Sequence, residues 1–118
     1  MPNSYRLIFS LLLLLVFGLA PEQTYAQVTP PVVKMQAASP NPFGNETQFA
    51  VSTDQTGMVT VEVYNVLGQR VRTLLSERMD ARESKVLRLD ASNLPAGLYV
   101  IRAQAGGQVA SQMVTLSR

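Results

Sequence analysis

Side chains able to carry covalent or acid–base chemistry are scarce in this chain. It contains no His and no Cys. The first absence removes the group that titrates nearest neutrality and the commonest nitrogen ligand for transition metals. The second removes thiolate nucleophiles, thiolate metal sites, disulfides and lipidation at a Cys behind a leader. Ser and Asp occur without a Gly-framed nucleophile, so no enzymatic activity is expected. Carboxylates such as Asp54 and Asp80 are hard donors of the kind calcium takes, yet EF-hand spacing is missing and their expected work is in turns. No cofactor and no metal is expected. Ten Lys and Arg against eight Asp and Glu leave a formal charge of +2, with Arg70, Arg72, Arg88 and Arg102 interleaved with Glu62, Glu77, Asp80, Glu83 and Asp90. Such a scatter offers no basic run to follow a phosphate backbone, and nucleic acid is not an expected partner. The residue types left with a specific task are Pro and Gly: Pro40 and Pro42 around Asn41, then Gly68, Pro95 and Gly97, each placed to fix a corner.

Strands are what these corners must join. The 118 residues leave room for one domain. Met58 to Tyr64 is the clearest strand, because Val59, Val61 and Val63 share one face while Thr60 and Glu62 share the other. Further strands are expected near Val33 to Ala38, at Thr47 to Ser52, Arg70 to Leu75, Ser84 to Asp90, Leu98 to Ala105 and Gln108 to Leu116. For Arg70 to Asp80 helix is the competing assignment, and polar Ser76 to Glu83 reads as a loop. Leu94-Pro95-Ala96-Gly97 suits a type I turn, with Pro second and Gly fourth. Gly106-Gly107 suits a two-residue hairpin turn in which both central residues need φ > 0. Turn signals roughly every ten residues and no strong amphipathic helix give the expected fold class: all-β, a seven-stranded antiparallel immunoglobulin-like β-sandwich.

The N-terminus reads as an address. Arg6 and the free amine precede an apolar run from Leu7 to Ala20, and a polar stretch follows to Ala26, the layout of a cleavable signal peptide. The run is shorter than the roughly 20 residues a membrane-crossing helix needs, so a permanent span is the weaker reading. Signal peptidase requires small residues one and three positions before its cut, which Thr24 and Ala26 supply; cutting after Ala20 would put Pro21 next. Cleavage is therefore expected between Ala26 and Gln27. The domain plan is a signal peptide at 1–26, an extended Pro-containing linker at 27–36 and the sandwich at 37–118.

Four stretches stand in a telling order: Ser39-Pro40-Asn41-Pro42-Phe43; Val61-Glu62-Val63-Tyr64-Asn65-Val66-Leu67-Gly68-Gln69-Arg70-Val71; Leu89-Asp90-Ala91-Ser92-Asn93-Leu94-Pro95-Ala96-Gly97-Leu98-Tyr99; and Met113-Val114-Thr115-Leu116-Ser117-Arg118. Together they resemble the type A C-terminal sorting domains of the type IX (Por) secretion system of Bacteroidota and related bacteria, over about Met35 to Arg118. The resemblance implies a seven-stranded sandwich and export through the Sec translocon to the periplasm. It further implies recognition by the outer-membrane translocon and sortase-like components, then delivery to the cell surface or the medium. What a machine would read is the folded surface with the last strand and tail, for which Met113, Val114, Leu116 and Arg118 are the candidates. Members of that family close much larger proteins, whereas here about ten residues separate the expected cleavage position from the domain. The competing function is a structural or adhesive immunoglobulin-like module, akin to flagellar hook-capping domains, joining a partner through an edge strand.

Overall fold

The computed structural model describes residues 32–118. Seven strands follow in chain order: β1 Val33–Met35, β2 Glu46–Thr53, β3 Gly57–Asn65, β4 Arg70–Met79, β5 Ser84–Asp90, β6 Gly97–Ala105 and β7 Gln108–Leu116. All named pairings are antiparallel, in a three-stranded sheet of order β1-β2-β5 and a four-stranded sheet of order β4-β3-β6-β7. No helix occurs among the described residues. One hydrophobic core draws on both sheets.

Period-two alternation builds that core. Val59, Val61 and Val63 of β3 are wholly buried, and in register with them β6 presents Ala105, Ala103 and Ile101. Each valine withdrawn from water contributes up to about 1.5–3 kcal/mol. Val51 and Phe49 of β2 and Leu89 of β5 cover the same space from the other sheet. The hairpin at Gly106-Gly107 forms as its residues require, with φ of 56° and 76°.

Three expectations are corrected. Ser76 to Glu83 is not all loop: β4 continues to Met79, whose side chain is fully buried. The register of β4 against β3 slips twice, passing over Leu74 and Val71. Beyond these bulges the pairing is regular, with Leu75, Glu77 and Met79 on the inward side, and it is the polar run Ser76 to Arg78 with a charge at an inward position that gives this end of the strand the composition of a loop. The hydrogen-bonded turn before β6 lies at Ala91–Leu94, where the Leu94 N–H donates to the Ala91 carbonyl at 3.0 Å, and Leu94–Gly97 is only a bend. The packed domain also begins before residue 37, since Val32 and Val33 are buried in the core.

The side where β4 and β5 run as sheet edges is closed by charge. Glu77 of β4 and Lys85 of β5 each sit opposite a fully buried valine, Val59 and Val51, and they form an ion pair from one sheet to the other. An inward-pointing charge on an edge strand discourages pairing with another chain.

Candidate functional site

Ser39 bonds both ways with Gln48, its N–H donating at 2.9 Å and its carbonyl accepting at 3.1 Å, which fixes where the Pro40–Pro42 corner leaves β2. The buried Thr47 hydroxyl donates to the Pro40 carbonyl at 2.7 Å. Pro40 and Pro42 have no N–H, so the corner cannot join a ladder through them. Asn41 does so with its side chain: Nδ2 donates to the Met113 carbonyl at 3.2 Å, and Oδ1 accepts the Thr115 N–H at 3.0 Å. Phe43 buries its ring in the core and pairs its backbone with β7 in parallel, N–H to the Thr115 carbonyl at 2.9 Å and carbonyl from the Ser117 N–H at 2.8 Å. The tail is thus held along its outer edge by the Pro40–Pro42 corner, more than 70 residues away in sequence.

Along the end of β7 and the two residues after it the side chains divide. Val114 and Leu116 are buried in the core, whereas Met113 and Arg118 are exposed. The Arg118 guanidinium donates to the Ala91 carbonyl, and the Ala91 N–H donates to the Asn45 carbonyl at 2.8 Å, so tail, corner and the β5–β6 loop are tied together. Tyr99 stiffens that loop: its ring is buried and its hydroxyl donates to the Pro95 carbonyl four residues upstream. Gly97 takes φ of 149°, a conformation that side chains rarely adopt.

The β3–β4 turn completes this end. Asn65 Oδ1 accepts the N–H groups of Leu67 and Gln69, both at 3.0 Å, and Gly68 takes φ of 78°. Val66 and Leu67 are left exposed at its tip. Together with Val71, Leu94, Pro95 and Leu98 they line an apolar cleft of about 220 Å³. Beside the turn, the Glu62 carboxylate accepts from Arg70 at 2.8 Å and holds that guanidinium above its ordinary pKa. The Asp90 carboxyl lies below its ordinary value, chiefly because it accepts the Ser92 N–H. No cluster of three metal-ligating side chains occurs among the described residues.

All four segments singled out in sequence therefore meet at one pole of the domain. Pro40, Asn41, Pro42, Gly68, Pro95, Gly97, Met113, Val114, Leu116 and Arg118 all belong to it. The chain arrives at the other pole: the Val32 N–H donates to Gln108 at the start of β7, and the Val32 carbonyl accepts from Asp54 at 2.8 Å. Ala26 and Gln27 lie outside the described residues. Sequence reasoning passed over Gln108 and Gln112, which share the inward parity of Val114 and Leu116. Gln112 accepts the Ala38 N–H at 2.8 Å and donates to the Gln36 carbonyl at 3.0 Å. A polar side chain at an inward position of a strand was the available signal, because such a group must find a backbone partner.

Comparison with protein families finds the secretion system C-terminal sorting domain over residues 38–116. A search of curated proteins finds no match. Among solved structures, a β-glucosidase from Erythrobacter marinus is similar at 15% identity and a TM-score of 0.47. That alignment covers 74% of this chain and 16% of the β-glucosidase chain.

Proposed function

This chain belongs to the family of secretion system C-terminal sorting domains, and on that premise we propose that it is the sorting module by which the type IX machinery exports a protein across the outer membrane to the cell surface or the medium. The carrying observation is convergence. Four sequence segments within or bordering the family match gather at the pole opposite the one where residue 32 enters. A module grasped at one end and tethered at the other leaves its recognised surface clear of whatever precedes it.

The action is protein–protein recognition by an immunoglobulin-like sandwich, with no catalytic step of its own. Sec and signal peptidase act first, removing residues 1–26 and passing the chain through the periplasm. The outer-membrane translocon and sortase-like components then read the motif pole. The adhesive reading needs a strand edge open to pairing, which the inward Glu77–Lys85 pair discourages at β4 and β5 and the Asn41–Phe43 corner takes up at the end of β7.

The test is a reporter inserted between Ala26 and Gln27 of the full chain, in a host that carries type IX machinery. Reporter activity should appear outside the outer membrane, and in a host lacking the machinery it should stay periplasmic. Periplasmic retention in the competent host would refute the sorting role.

A further inference from the structure

We infer that Asn41 is a positioning residue for the tail: its side-chain amide sets where Met113–Ser117 lies on the domain, and hence how Met113 and Arg118 are presented. The inference rests on the sorting reading above. β7 pairs with β6 along one edge only, and on the other edge the backbone groups of Met113 and Thr115 point outward and require partners. An amide side chain carries the same donor and acceptor as a peptide unit. Asn41 uses both, giving Nδ2–H to the Met113 carbonyl at 3.2 Å and taking the Thr115 N–H on Oδ1 at 3.0 Å. It stands in for one residue of a missing neighbouring strand, and Phe43 continues the pairing to Ser117 through its backbone. The prolines on either side of Asn41 have no N–H to give. Two of the four hydrogen bonds by which the corner grips this edge therefore belong to one side chain. Asn41 is itself exposed and fills no core volume, so its removal loosens the tail without opening a cavity.

The substitutions Asn41→Ala and Asn41→Asp separate positioning from stability. Alanine deletes donor and acceptor together. Aspartate keeps the acceptor for Thr115 but sets a second oxygen against the Met113 carbonyl, a repulsion that protonation converts into an O–H donor. Repulsion from the Met113 carbonyl favours the neutral form of the introduced carboxyl and the Thr115 N–H favours the charged one, so the balance of the two sets the pH at which the repulsion is relieved.

Amide hydrogen exchange on the full chain should show Thr115 and Ser117 exchanging roughly tenfold faster in Asn41→Ala, as expected for loss of hydrogen bonds of ordinary strength. The amides of Val61 and Ile101 should accelerate by no more than that factor, because the lost bonds raise the native state relative to every opened state alike. In Asn41→Asp the loosening should be present at pH 7 and relieved in acid, a dependence that a merely structural defect would not give. With the reporter inserted between Ala26 and Gln27, export should fall for Asn41→Ala although the domain remains folded and still unfolds cooperatively in urea. Unaltered exchange at Thr115 and Ser117, or loosened amides with undiminished export, overturns the inference. A wild-type reporter left in the periplasm overturns the sorting reading and the claim on presentation with it, and exchange then still decides whether Asn41 holds the tail.

Discussion

Truncating Leu116 to alanine should cost far more than truncating Met113, although the two lie three residues apart in the same tail. Leu116 is 1% exposed and sits beside Phe43, whereas Met113 is 63% exposed. Leu116→Ala withdraws about three buried carbons, about 2.4 kcal/mol at 0.8 per methylene. The unfilled space adds to this, giving about 2–5 kcal/mol. A domain of this size has only about 4–13 kcal/mol of stability to draw on. With a urea dependence of about 1 kcal/mol per molar, the midpoint should fall by about 2 M or more. Met113→Ala removes a side chain already in water and should stay within about 0.5 kcal/mol, a shift of at most about 0.5 M. Urea denaturation followed by circular dichroism measures both. Equal midpoints for the two variants, or a loss below about 1 kcal/mol for Leu116→Ala, would refute the packing of the tail as a closing strand and leave the whole stretch free to act as a surface signal.

Val61→Asp should abolish cooperative unfolding, since it sets an unpaired charge at a fully buried position, while Gln104→Glu on the outer face of the same sheet should cost under about 1 kcal/mol by the same assay. Gln112→Leu strands the Ala38 N–H and the Gln36 carbonyl, and a loss of about 1–3 kcal/mol is expected; a neutral result would mean water replaces the amide. The double substitution Glu77→Val with Lys85→Val should leave stability near wild type yet cause concentration-dependent association in sedimentation velocity, because it removes the inward charges from two edges; a variant that remains monomeric would refute their guarding role.

Local pattern carried much of this protein in its sequence. The alternation of Val59, Val61 and Val63 marked both a strand and its buried face, and Gly106-Gly107 marked a hairpin, because side-chain direction in a strand and positive φ in a tight turn depend on adjacent residues alone. The same locality explains the failures. Beyond the two bulges of β4 the alternation is regular, but a charge stands at the inward position of Glu77 between Leu75 and Met79, so the strand running to the buried Met79 looked like a polar loop. The family resemblance was also legible, as residue strings in order, but not the reason those strings belong together. That Asn41 grips Met113 and Thr115, that Arg118 reaches Ala91, and that the Asn65–Gln69 turn and the Leu94–Leu98 loop share one cleft were decided only when two sheets stacked around one core. Such contacts depend on strand order and on the register of every strand between, and no short window of sequence holds either.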